Sequence, residues 1–155
     1  MHTIEPAAVR KSVTVHVPPE KAFDVFVNGM GNWWIKEHSV SQSGQKTVVV
    51  ETFAGGRWYE IGNSGEECDW GRVIDYDRPN RILFAWQLNA DFTFDPEFYS
   101  EVEVRFEAKG DGETTVTLEH RNLANFGSKA EEMRRRFDSE TGWGGLLASY
   151  AATVA

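Results

Sequence analysis

Cysteine is almost absent from this 155-residue chain: Cys68 stands alone, so no intramolecular disulfide framework can form, and the sequence suits a reducing cytoplasm. Positive charge is also scarce. The 16 lysines and arginines are outnumbered by 24 acidic residues, giving a formal net charge of -8 that repels phosphate backbones and anionic lipid surfaces. Nucleic acid is therefore not expected as a partner. No apolar run reaches the length that spans a bilayer, and no charged start with an apolar stretch follows Met1. A cytoplasmic protein without a membrane partner is expected. The four histidines, His2, His16, His38 and His120, share no ligand-like spacing with one another or with Cys68, so neither a metal site nor a cofactor is expected. Nucleophile elbow, phosphate loop and dinucleotide fingerprint are missing too, and Gly142-Trp143-Gly144-Gly145 follows no strand.

At this length the chain fits one domain, residues 1–155, large enough to bury a core. Val9, Val13, Val15 and Val17 alternate with polar residues, the pattern of a half-buried strand, which Pro18 and Pro19 end. Pro19 and Glu20 then open a helix with Ala22, Phe23, Phe26 and Val27 at helical spacing, and a second short helical turn carries Trp33 and Trp34. Six more strands follow, at Thr47 to Phe53, Arg57 to Asn63, Asp69 to Tyr76, Arg81 to Leu88, Ser100 to Ala108 and Thr114 to Arg121. Short turns rich in Gly, Asn, Asp and Pro separate most of them and imply an antiparallel meander. The longer connection, Asn89 to Tyr99, holds Phe92, Phe94 and Phe98. From about Ser128 to Val154 the pattern reads as one helix, bent or restarted at Gly142, Gly144 and Gly145, with Trp143, Leu146, Leu147, Tyr150, Ala151 and Val154 as its apolar stripe. Arg134, Arg135 and Arg136 after Glu131 and Glu132 read as a solvated, mixed-charge face.

The order predicts an α+β helix-grip fold: a strand, two short helices and six strands forming a curved antiparallel sheet around a long C-terminal helix, with a cavity between sheet and helix. The segments VPPEKAFDVF, GGRWYE, WGRVIDYDRPNRILFAWQL, SEVEVRFEAKGDGETTVTLEHRNL and GWGGLLASYA resemble the START-like, or SRPBCC, superfamily. Within it they resemble the bacterial branch named after the C-terminal domain of the activator of heat shock protein 90 ATPase. The resemblance covers Val9 to Ala152 and implies this same fold, holding a hydrophobic ligand in some members, shaping a polyketide cyclisation or hydrolysis in others, and serving chaperone contacts in a few. Eukaryotic activators make their main chaperone contact through a separate N-terminal domain, whereas this chain starts at the first strand, which ranks that role lower.

Candidate ligand-binding residues follow from strand parity and helix spacing. Trp86 shares parity with Ile82 and Phe84, while Val102, Val104 and Phe106 alternate with charged residues, so these sets form the inner face. Trp143, Leu147 and Tyr150 face them from the helix, with Trp33, Trp34 and the Phe92 to Phe98 loop at the entrance. Parity leaves open whether Trp58 or Tyr59 points inward. His120, in step with Val116 and Leu118, points inward as a neutral histidine or as a polar anchor or base of lowered pKa. Glu51 and Glu60 are expected at the surface, because a buried carboxylate needs a partner. The leading functional expectation is binding of a small hydrophobic molecule, an aromatic one first, by a monomer or homodimer, rather than catalysis. Two alternatives stand beside it: a co-chaperone-like activator of a heat shock protein 90 ATPase, and a cyclase or hydrolase using His120 and Tyr150.

Overall fold

The computed structural model describes residues 7–154, so His2 lies outside the described residues. Alternating apolar residues place seven strands in one antiparallel sheet: β1 (Val9–Val15), β2 (Gln45–Val50), β3 (Arg57–Gly62), β4 (Glu67–Asp77), β5 (Arg81–Trp86), β6 (Ser100–Gly110) and β7 (Glu113–Arg121). Their order is β1-β7-β6-β5-β4-β3-β2, so the meander runs unbroken from β2 to β7 and the first strand closes on the last. Helices α1 (Pro19–Val27) and α2 (Met30–Trp33) connect β1 to β2, and a 3-10 segment (Leu123–Lys129), α3 (Ala130–Asp138) and α4 (Trp143–Val154) follow β7. Antiparallel strands tolerate water on one face only when the other is covered, and here α1, α2 and α4 cover the apolar face.

The inner face is packed solid over most of its area. Phe23 and Phe26 of α1 meet Phe106 of β6 edge-on at 5.1 and 5.7 Å between ring centroids, and Phe26 meets Tyr150 of α4 at 5.0 Å. The Tyr150 hydroxyl donates to the Ala22 carbonyl at 2.7 Å, and the Ser149 hydroxyl to the Trp33 carbonyl at 2.6 Å, so α4 is bound to both short helices. On the outer face, Glu103 lies among Arg81, Arg105 and Arg121. Burial pushes the Glu103 carboxyl up, but the bond from Arg81 and the three positive charges outweigh it and hold the group below the usual range.

Two departures from regularity shape the site. In β4, Trp58 pairs with Gly71 while Tyr59 pairs with Asp69, so Trp70 is an extra residue; both Trp70 and Gly71 are buried. A Cβ on Gly71 would run into the carbonyl oxygen of Ala85 on β5, so the bulge requires glycine there. The second departure falls where the sequence marked a bend or restart of the C-terminal helix: the chain forms the 3-10 segment, then α3, breaks at Ser139, whose backbone is extended, and restarts as α4 at Trp143. Ser139 donates its hydroxyl to the Arg136 carbonyl at 2.7 Å, and a Cβ on Gly142 would clash with the carbonyls of Arg136 and Phe137. The break separates α4 from α3 and puts Trp143 at the first position of α4. The first strand also stops at Val15 rather than Val17, and Phe53 lies in an exposed turn.

Replacing Gly71 with alanine should cost at least about 2 kcal/mol, because backbone and not a flexible side chain must move. Urea denaturation of the variant measures it; a change within about 0.5 kcal/mol of zero would refute this account of the bulge.

Candidate functional site

One end of the layer between sheet and helices is not filled. A cleft of about 460 Å³ opens there, lined by Trp34 and residues 37–40 of the connection after α2, by Trp70, Trp86, Leu88 and Phe92 from the sheet side, and by Arg136, Phe137, Thr141, Gly142, Trp143 and Leu146 from α3 and α4. Its size falls within the range of small-molecule sites. The indoles form a continuous wall: Trp34 and Trp70 lie 4.7 Å apart by ring centroids, Trp34 and Trp143 5.7 Å, and Trp86 and Trp143 5.8 Å. Trp58 packs behind them, 5.5 Å from Trp70 and 5.7 Å from Trp86.

An indole has one polar atom, its N–H, and a buried N–H needs an acceptor. All four wall tryptophans find theirs inside the protein. Trp34 donates to the His38 carbonyl at 3.2 Å, Trp70 to Glu60 Oε1 at 3.0 Å, Trp86 to the Leu88 carbonyl at 3.1 Å, and Trp143 to His120 Nδ1 at 3.1 Å. The cleft therefore meets a ligand with ring carbons and aliphatic groups, and its polar chemistry is confined to Glu37, His38, Ser39, Arg136 and Thr141.

His120 is fully buried behind this wall, 4.3 Å from the Phe137 ring and 5.2 Å from Trp86 by centroids. Accepting from Trp143 leaves its Nδ1 without a proton, so Nε2 carries the hydrogen and donates to Ser100 Oγ at 2.8 Å. Both nitrogens are occupied by neutral partners, and burial lowers the imidazole pKa to about 3.

Glu60 corrects the expectation of a surface carboxylate. It is completely buried, on the inward parity of β3 that also carries Trp58, while Tyr59 faces out beneath the Arg57 guanidinium at 3.9 Å. No cation approaches within salt-bridge distance among the described residues; instead Trp70, the Val40 N–H at 2.6 Å and the Ser39 hydroxyl at 2.7 Å donate to it. Three donors replace the hydrogen bonds that burial removes. Two of them come from the loop that forms one side of the cleft.

Of the residues singled out from sequence, the structure brings Trp34, Trp86 and Trp143 together on the cleft wall. His120 sits behind the wall. Trp33, Trp58, Val104, Phe106, Leu147 and Tyr150 lie in the packed core, and among the described residues the Tyr150 hydroxyl bonds to the Ala22 backbone alone. Residues 37–40 gave no periodic signal, Trp70 depends on the bulge, and Arg136 was hidden in a run that looked like an ordinary charged helix face. Among the described residues no three His, Cys, Asp or Glu side chains are arranged to hold a metal ion. No helix among them is long and apolar enough to cross a membrane.

The model of the Activator of Hsp90 ATPase homolog 1-like protein family matches residues 16–155. The chain belongs to this family. Two solved structures are similar to this family member along nearly its whole length. The anthrahydroquino-gamma-pyrone synthase Txn09 is 33% identical, covers 97% of this chain and 98% of its own, and has a TM-score of 0.68. CalC from Micromonospora echinospora, a self-sacrificing resistance protein, is 34% identical, covers 95% and 93%, and has a TM-score of 0.71. The Aha1 dimer from Colwellia psychrerythraea shares the fold at 12% identity, covering 96% of each chain with a TM-score of 0.63. Curated proteins give no match. The helix-grip fold expected from the sequence is thus the fold of this family.

The state of His120 fixes a pH dependence. Its folded pKa of about 3 lies below the ordinary 6.5, so below pH 6.5 the unfolded chain takes up a proton that the folded chain refuses. This contribution to stability is complete above pH 6.5 and is lost as the pH falls towards 3. Between pH 7 and pH 5 the parent protein should lose about 2 kcal/mol more than His120→Gln, which has no such proton. Parallel losses in denaturant titrations at the two pH values would contradict it.

Proposed function

We propose that this protein binds a planar aromatic molecule in the cleft between the end of the sheet and the α3–α4 turn. One observation carries the reading: four tryptophans line the cleft, and every one of their N–H groups is already bonded to a protein acceptor. Such a wall offers dispersion and ring stacking to a flat apolar body, and no hydrogen bond from its floor. The wall is also held in place before the ligand arrives, because each ring is anchored at its nitrogen, which lowers the ordering cost of binding. The similarity to a synthase whose name includes a fused aromatic product supports the same ligand shape.

That similarity also favours a second reading, in which the bound aromatic is cyclised or hydrolysed in the same cleft. His120 and the Tyr150 hydroxyl are engaged elsewhere, so proton transfer in that case falls to His38 or Glu37 on the rim. The chaperone-activator reading rests on the family description alone.

Binding is tested with flat fused-ring probes by tryptophan fluorescence quenching and thermal shift. A probe at 100 times its Kd should add roughly 2.7 kcal/mol to stability. Val40→Phe, which fills the cleft from a half-buried position, should weaken binding at least about tenfold, equivalent to 1.4 kcal/mol. The proposal fails if no fused-ring probe quenches or stabilises, or if Val40→Phe binds as the parent does.

A further inference from the structure

Resting on that reading, we infer that the aromatic ligand carries an acidic oxygen group, a carboxylate or phenolate, and that Arg136 is the residue that selects it. Arg136 and Glu37 are the lining residues of the cleft with a formal charge, and they belong to different segments. Most arginines of the described chain have their donors occupied. Arg57 makes three hydrogen bonds to Asp69 and Glu67, Arg78 grips Asp24 with two at 2.8 Å, and Arg81, Arg105 and Arg121 are taken up by the acidic cluster of the outer face. Arg136 differs. Its closest carboxylate is Glu132, one turn earlier at 3.6 Å, and its guanidinium makes no hydrogen bond among the described residues.

A guanidinium offers five donors in a planar fork that fits a carboxylate with two parallel bonds, and its flat face stacks on aromatic rings. Beside an otherwise apolar wall, it can therefore hold the acidic edge of a flat molecule whose body lies on the indoles. The helix break places it there: Ser139 ends α3 just after Arg136, and Thr141, Gly142 and Trp143 return the chain to the same cleft as α4 begins. The positive end of the α4 dipole adds a smaller contribution of the same sign. The net charge of -8 opposes an anion at long range, but over more than about 10 Å salt screens that field, whereas contact with Arg136 is direct. Glu37 gives the rim a repulsive element against an acidic group placed at its own side.

The test compares naphthalene-2-carboxylate with its neutral isostere naphthalene-2-carboxamide in the intact protein, by fluorescence quenching at low and high salt. The parent should bind the carboxylate roughly threefold to tenfold more tightly, the preference of a partly exposed charge pair, and salt should shrink it. In Arg136→Gln that preference should fall to about one, and in Arg136→Glu it should invert. Because Arg136 is more than half exposed, these variants keep the core intact. Equal binding of the two probes by the parent, or a preference that survives in Arg136→Gln, overturns this inference and leaves aromatic binding standing. Failure of both probes to bind overturns aromatic binding and this inference with it.

Discussion

An indole placed against a buried surface brings one donor that must be satisfied, and this requirement organises the whole end of the molecule that holds the cleft. Each of the four cleft tryptophans recruits its acceptor from a different source: a loop carbonyl, a strand carboxyl, the carbonyl two residues on, and a histidine on the last strand. The bond from Trp143 to His120 also joins α4 to β7, and that from Trp70 to Glu60 joins the bulge of β4 to β3. Through Glu60 the loop at Ser39 and Val40 is tied to the same point. An unsatisfied buried donor would cost about 1–3 kcal/mol, so the four bonds together restrict the wall to one arrangement.

Much of this was legible from parity. The alternation in β6 and β7 placed Val102, Val104, Phe106, Val116, Leu118 and His120 inward, because a period of two admits no other assignment once one face is apolar. In β3 the same logic was ambiguous, since Trp58 and Tyr59 compete for the inner face and Glu60 travels with Trp58. The structure resolves the conflict in favour of the larger apolar ring and supplies Glu60 with donors from residues 20 and more positions away or across a bulge. Such partners leave no local trace in sequence. The one-residue insertion at Trp70 is equally silent, although Gly71 beside it was a hint that backbones approach closely there.

The C-terminal region shows the opposite limit. Helical periodicity ran on from Ser128 to Val154, and the three glycines marked a bend or restart near position 142 without giving its direction. What happens is decided by the carbonyls of Arg136 and Phe137, which close on Gly142 and turn the chain. That turn converts Arg136 from a residue of a charged helix face into a residue of the cleft, while Phe137, next in sequence, is buried against His120. The place of Arg136 on the cleft depends on how the chain turns between two helices, and that turn is not written in a hydropathy pattern.

The division between packed core and open cleft separates residues on which the fold depends from residues on which it does not. Phe23, Phe26, Trp33, Phe106 and Tyr150 interlock so closely that any change of volume there is paid in stability. The rim is under no such restraint: the side chains of Glu37, His38, Arg136 and Thr141 are exposed, and none of them is an acceptor for the tryptophan wall, since His38 receives Trp34 on its main-chain carbonyl. Under the proposed reading, affinity for a flat body resides in residues the fold cannot easily alter, and selectivity in residues it can. On that reading a change of ligand class requires changes at only a few rim positions, whereas losing the wall would require breaking a bond such as Trp143 to His120 that holds α4 to β7.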